Sequence, residues 1–164
     1  MDADLESLMK LAGGEDWAWA AAIAEHESGS SPWATVAAGA HGEPAFGLWQ
    51  MHDTFVADML KDKFARAESL FAARGNPFVQ AAAFAAFWNR YAGETVENRL
   101  LIYHYGYNGW EANLSKAKAA LSSNIKADVT GITDPDGYVA AVQKEYDAIA
   151  APAPAKKPAA AATK

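Results

Sequence analysis

The spacing of hydrophobic positions predicts helices along most of the chain. Ala20, Ile23, Ala24 and Glu27 follow the i, i+3, i+4, i+7 repeat of one helix face, and Gly29 is a typical stop just beyond it. Further stretches with helical spacing are 4–12, 53–73, 76–91, 95–103, 110–121 and 138–149. We therefore expect an all-α domain over residues 1–150.

The segments between these stretches are predicted to be loops. Residues 29–47 are rich in Gly, Ser and Pro, and we expect at most a short hairpin near 33–50. Asp53 or Thr54 is a candidate N-cap for the helix that follows. Residues 123–136 carry turn residues and are expected to form a loop.

The stretch after Asn76-Pro77 is predicted to be the central buried helix. Asn76 is a good N-cap, and Pro77 suits the first helical position. The stretch then carries four large aromatic residues on one face, which favour core packing over ligand contact. These residues are Phe84, Phe87, Trp88 and Tyr91.

Composition and charge narrow the function. The 164 residues are 51% hydrophobic and 21% charged, as in a globular protein. Three Lys and no acids lie in the last fourteen residues, so residues 1–150 carry 11 basic and 20 acidic residues, or about -9. The sequence contains no basic patch, so we expect neither nucleic acid nor an anionic membrane as a partner. The Ala/Pro/Lys composition of residues 151–164 predicts a disordered tail.

Glu27 is the strongest candidate for chemistry. It ends an apolar helix face, and burial together with the negative end of the helix dipole would keep its carboxyl protonated. Such an acid can protonate a glycosidic oxygen. The alternative is a solvated Glu at a frayed helix end, and spacing alone slightly favours that alternative. The four His lack metal-ligand spacing and Cys is absent, so we expect no metal and no cofactor.

An ordered set of motifs resembles the catalytic domain of soluble lytic transglycosylases, members of the lysozyme-like superfamily. Glu27-Ser28 is followed by Pro32 at the family's spacing, and the family's Gly-Ala-x-Gly-Leu-x-Gln is matched in two parts. Its Tyr-Asn-Ala-Gly motif is replaced by a run that contains His in place of Asn. The matched segments are Gly39-Ala40, Gly47-Leu48-Trp49-Gln50, Tyr103-His104-Tyr105-Gly106 and Tyr138-Val139-x-x-Val142, within about residues 17–149.

The resemblance implies a lysozyme-like fold and cleavage of the β-1,4 bond between N-acetylmuramic acid and N-acetylglucosamine. Glu27 would act as the acid and then as the base, which gives a 1,6-anhydro product. Ser28 would fix the helix end, and Gln50 would bind the N-acetyl sugar or orient its loop. Tyr103 would sit near the Glu27 carboxylate and help to position it, with His104 beside it in the binding cleft. A second register places Tyr107 at the position of Tyr103.

Two rival functions stay open. A lysozyme-type hydrolase on the same fold would use Glu43 or Asp53 to activate water, although Glu43 also suits a solvated loop and Asp53 a helix cap. A non-catalytic glycan-binding or structural virion subunit would keep the fold without the reaction. The expected partners are peptidoglycan glycan strands and, in a virion, other particle proteins.

The N-terminus lacks the basic and apolar regions of a signal peptide. We therefore expect a phage product that degrades peptidoglycan, either an endolysin or a virion-associated protein. In the first case it would stay in the host cytoplasm before delivery to the cell wall.

Overall fold

The structure, a computed structural model, describes residues 3–37, 43–61, 75–124 and 126–151. Within these ranges the chain is mostly helical with one small antiparallel sheet. The helices are α1 (Ala3–Gly13), α2 (Trp17–Ser28), α3 (Asp53–Leu60), α4 (Pro77–Arg90), α5 (Val96–Ser123), α6 (Thr130–Thr133) and α7 (Tyr138–Ala150). A 3₁₀ turn, Gly14–Asp16, connects α1 to α2. The mostly helical fold class is thus confirmed.

A three-stranded sheet fills the region between α2 and α3. Its strands are β1 (Thr35–Val36), β2 (Ala45–Phe46) and β3 (Met51–His52), in the order β1-β2-β3. Each strand has only two residues, so the hydrophobic alternation that predicts a strand has no room to develop. The short hairpin expected near 33–50 is present, and β3 extends the sheet by one strand beyond it.

The core lies where α1, α2, α4 and α7 meet. Helix α2 packs against α7, and α1 packs against both α2 and α4. The middle of α2 is built from small residues that are completely buried, so neighbouring helices can approach closely. Three of the four aromatic residues predicted on the buried face of α4, Phe84, Phe87 and Trp88, are buried, whereas Tyr91 is half-buried and lies just beyond the helix end. Phe84 is stacked between Trp49 and Trp88.

Helix α4 begins as the sequence predicts. Asn76 is the N-cap, and its side chain accepts a hydrogen bond from the Phe78 amide, with Pro77 as the first helical residue. Helix α3 begins differently: His52 is the N-cap residue, no side chain caps the helix, and Asp53 is already helical. The cap predicted at Asp53 or Thr54 is therefore wrong. The Thr54 hydroxyl instead donates to Glu43 Oε2 at 3.0 Å.

Helix α5 is two helices joined at a kink. Gly106 has φ 70° and ψ 163°, which interrupts the helix between the two stretches predicted from the sequence. In the segment 123–136, predicted as a loop, residues Thr130–Thr133 form the short helix α6. Three expectations lie outside the described residues, namely the Gly39-Ala40 match, the continuation of α3 to residue 73 and the disorder of the tail beyond residue 151.

Candidate functional site

The end of α2 is held in place by the loop that follows it. Gly29 has φ 60° and ends the helix in the left-handed conformation, as predicted. The Ser28 hydroxyl donates to the carbonyl of Leu48 at 2.8 Å and accepts from the Ser31 amide at 3.1 Å. Ser28 thus joins the helix end, and Glu27 with it, to the loop Gly47–Gln50.

Buried side chains hold the loop at residues 47–50 in place. The Leu48 amide donates to Gln80 Oε1 at 3.0 Å, and the Trp49 indole donates to the carbonyl of Ala20 at 2.8 Å. Gly47 has φ 75°, and a Cβ there would lie 1.9 Å from the Gln80 side chain. Because both the conformation and the space require glycine, the backbone of this loop can approach α4.

A cleft of about 260 Å³ opens beside Glu27. Its walls come from the ends of α2 and β3, the start of α3 and the kink in α5. Three residues expected at the site, Gln50, Tyr103 and His104, contribute to it together with Glu27. The lining residues are Glu27, Gln50, Met51, His52, Phe55, Tyr103, His104, Tyr105 and Gly106. The structure thus brings together motifs that are up to about eighty residues apart in the chain.

The Glu27 carboxyl is suited to hold a proton. Burial raises its pKa above the ordinary glutamate value, and this effect outweighs the attractions that stabilise the carboxylate. Those opposing attractions are the hydrogen bond from Tyr138 and the positive charges of protonated His26, His104 and His52. An acid with a raised pKa can deliver a proton closer to neutral pH than an exposed glutamate can.

Tyr138, rather than Tyr103, holds the Glu27 carboxyl. The Tyr138 hydroxyl donates to Glu27 Oε1 at 2.8 Å, whereas the Tyr103 hydroxyl donates to the carbonyl of Trp49. Tyr103 is nonetheless close enough for the Glu27 charge to raise its pKa further, in addition to the larger effect of burial. The positioning contact that the sequence reading gave to Tyr103 is therefore made by Tyr138.

Gln50 lines the cleft and carries a buried oxygen without a hydrogen-bond partner in the described part of the chain. Its Nε2 donates to the carbonyls of Gly47 at 2.9 Å and Ala34 at 3.3 Å, which ties the loop to the start of β1. Its Oε1 is buried and has no hydrogen-bond partner within the described residues. Buried polar atoms are normally paired, so this oxygen is an exception at a residue that lines the cleft.

Tyr107 lies outside the cleft. It is 47% exposed and stacks on Tyr91 with the ring centroids 6.2 Å apart. It follows Gly106, where the kink turns the second half of α5 away from the first. Tyr103 therefore occupies the cleft position for which the sequence offered two registers.

The two carboxylates considered as a second catalytic group do not line the cleft. Glu43 accepts a hydrogen bond from Thr54, and Asp53 is the first residue of α3. Of the residues the structure describes along this cleft, Glu27 alone bears a carboxylate. Over the same described ranges no group of three or more His, Asp or Glu side chains is placed to hold a metal ion.

Sequence reasoning missed three neighbours of Glu27. Tyr138 lies in a matched motif to which the resemblance gives no role at the site, and the spacing of His26 and His52 indicates no metal site. All three residues carry an aromatic or imidazole ring in or near a matched motif. Such rings are too common in sequences for this feature alone to identify a partner of Glu27. The packing of α7 on α2 brings Tyr138 to the carboxyl, and the position of β3 brings His52 there, whereas His26 is the chain neighbour of Glu27 on α2.

No helix in the described ranges is both long enough and apolar enough to cross a membrane. When the chain is compared with models of protein families, with curated proteins and with solved structures, none of them matches.

Proposed function

We propose that the protein is a peptidoglycan lytic transglycosylase with a lysozyme-like domain, and that Glu27 is its single catalytic acid and base. The observation that carries this proposal is a buried carboxyl with a raised pKa in a cleft whose described walls hold no second carboxylate. The ordered motifs from Glu27 to Tyr138 support the same proposal through their resemblance to that family.

The reaction needs no protein nucleophile. The protonated Glu27 donates its proton to the bridging oxygen, and the bond from that oxygen to C1 of the muramyl residue breaks. The substrate's own N-acetyl group assists the positive centre at C1. The Glu27 carboxylate then takes the proton of the muramyl 6-hydroxyl while O6 bonds to C1, which gives the 1,6-anhydro ring and restores the acid.

The residues around Glu27 have separate parts in this proposal. Tyr138 holds one carboxyl oxygen, so the other is free to face the glycosidic bond. The buried Oε1 of Gln50 accepts an N–H of the substrate, and an acetamido group supplies such a donor. His104 and Tyr103 line the wall at the kink of α5.

The decisive experiment digests purified peptidoglycan and identifies the products by mass spectrometry. We expect anhydro-muropeptides from the wild type. We expect Glu27→Gln to lose about 10²- to 10⁴-fold in rate, the usual contribution of a general acid. Glu25→Gln is the matched control, because Glu25 is exposed on the same helix and its carboxylate accepts a hydrogen bond from the Ser30 hydroxyl, away from the cleft.

Other outcomes identify the rivals. Reducing muramyl ends in the products would indicate a lysozyme-type hydrolase on the same fold. Binding of glycan strands without any cleavage, and with no effect of Glu27→Gln, would indicate a binding or structural subunit. An enzyme of this kind suits a phage product, and detection of the chain in purified virions tests the virion-associated version.

A further inference from the structure

His104 is held on two sides although it stands at the rim of the cleft. Its ring lies flat against the ring of Tyr138, with centroids 4.2 Å apart and an interplanar angle of 10°. Its Nε2 lies 3.4 Å from Asp136 Oδ2, and 32% of its side chain is exposed. The transglycosylase motif has asparagine here, so this stacked and paired imidazole is a departure of this chain.

The ring that His104 covers is the one that holds Glu27. Tyr138 is only 3% exposed, and its hydroxyl donates to Glu27 Oε1 at 2.8 Å. His26 meets the same ring edge-on, with centroids 5.1 Å apart and an interplanar angle of 83°. The direction of the Tyr138 hydroxyl depends on the orientation of its ring, and the neighbouring side chains fix that orientation. The stacked His104 ring therefore controls the direction of the hydrogen bond to Glu27.

We propose that His104 is a positioning residue that keeps the Tyr138 hydroxyl on Glu27 and couples the proton affinity of Glu27 to its own charge. The inference rests on the proposed role of Glu27 as the proton donor. A protonated His104 attracts the Asp136 carboxylate and the face of Tyr138, and it also favours the Glu27 carboxylate. When His104 loses its proton, these attractions weaken and Glu27 holds its own proton more tightly.

Other titratable groups lie near His104 on α5, on α7 and in the loop before α7. Tyr105 is on its own helix, and its ring meets His104 with centroids 4.5 Å apart. The Tyr105 hydroxyl joins this neighbour to the loop before α7, donating to Asp134 at 3.1 Å and accepting from the Asp136 amide at 3.1 Å. The titratable groups around His104 are Tyr103, Tyr105, Asp134, Asp136, Tyr138, Glu27, His26 and His52.

Carbon-13 NMR of the Glu27 side-chain carboxyl tests the coupling without any substrate. His104→Phe keeps a flat ring on Tyr138 and removes the charge, so we expect the titration midpoint of Glu27 to rise relative to the wild type. Glu111→Gln is the control for removal of an exposed charge elsewhere, and it should leave the midpoint unchanged. A midpoint that is the same in His104→Phe and the wild type would overturn the proposal.

Turnover of peptidoglycan tests the positioning role. We expect His104→Ala, which removes the stack, to lower kcat about tenfold with little change in KM, a loss typical of a misaligned catalytic group. His104→Phe should recover most of that loss at acidic pH and extend the alkaline limb of its kcat/KM profile to higher pH. Full activity of both variants with the wild-type pH profile would refute the role of His104.

The experiments distinguish a failure of the proposed function from a failure of the proposed role of His104. A raised Glu27 midpoint in His104→Phe, with no wall cleavage by the wild type, would support the coupling and reject the proposed function. Cleavage that depends on Glu27, with an unchanged midpoint, would support the function and reject the coupling. If His104→Ala does not fold, the titration of His104→Phe decides.

Discussion

At the scale of single residues, the site depends on one carboxyl and the hydroxyl that holds it. Burial raises the pKa of Glu27, while the hydrogen bond from Tyr138 acts in the opposite direction. The balance between these two effects matters because, in the proposed reaction, the same carboxyl first gives a proton and then takes one. A carboxyl that is too acidic would be ionised before it meets substrate, and one that is too basic would not release its proton.

Removal of the Tyr138 hydroxyl tests that balance. In Tyr138→Phe the buried ring stays, but the donor that stabilises the carboxylate is lost, so the pKa of Glu27 should rise further. We expect the alkaline limb of kcat/KM to move to higher pH and kcat to fall about tenfold, because the carboxyl is less well aimed. A pH–rate profile with a melting curve checks this. An unmoved alkaline limb in a folded variant would show that the bond does not tune Glu27.

At the scale of the elements, glycines determine where the cleft forms. The left-handed end of α2 at Gly29 leads into the loop that Ser28 holds, and Gly47 lets that loop pass over Gln80. Gly106 breaks α5 and places its own backbone in the cleft wall. Without the kink, α5 would continue straight past Tyr105.

The backbone conformation at the kink predicts that a methyl group added at Gly106 is destabilising. Gly106 combines φ 70° with ψ 163°, a region that is essentially reserved for glycine. We expect Gly106→Ala to destabilise the protein by about 1–3 kcal/mol and to reduce wall cleavage. Gly93→Ala is the matched control, because a Cβ there meets open space at an ordinary φ. Urea unfolding of both variants measures the difference, and equal stability would contradict the strain.

At the scale of the whole molecule, burial of the Glu27 carboxyl costs stability once the group is ionised. A group whose pKa is raised by folding holds its proton more tightly in the folded state than in the unfolded state. Between the ordinary glutamate value of 4.5 and the raised value, the unfolded chain has already released that proton. Stability from this group is therefore present at low pH and is lost as pH rises through that window.

Glu27→Gln should consequently stabilise the protein while it removes most of the proposed activity. The amide has no charge to bury, and its oxygen can still accept the Tyr138 hydrogen bond. We expect a higher Tm than the wild type at pH 7, by about 2–4 °C for each 1 kcal/mol relieved. The difference in Tm between Glu27→Gln and the wild type should disappear when pH falls below the ordinary pKa range of glutamate. Melting curves from pH 3 to pH 8 measure it, with Glu25→Gln as the control, and a constant difference would exclude the carboxyl as its cause.

The sequence by itself determined the helical elements and the residue at the centre of the site. The repeat in α2, the Asn76-Pro77 start, the aromatic face of α4 and the stop at Gly29 are local signals, because propensity and capping act within a few residues. Local signals of this kind did not predict the third short strand or the first residue of α3. Two-residue strands carry almost no pattern, and the Thr54 hydroxyl binds Glu43 rather than its own helix.

Only the tertiary structure decided which side chains surround Glu27. Tyr138 is 111 residues away in the chain, and it reaches the carboxyl because α7 packs along α2. The packing of α5 against α7 places His104 on the Tyr138 ring, whereas the Tyr103 hydroxyl donates to the carbonyl of Trp49. Spacing along a chain can identify a carboxyl at a helix end, but its proton affinity depends on burial and on neighbours from distant segments, which exist only once the helices have packed.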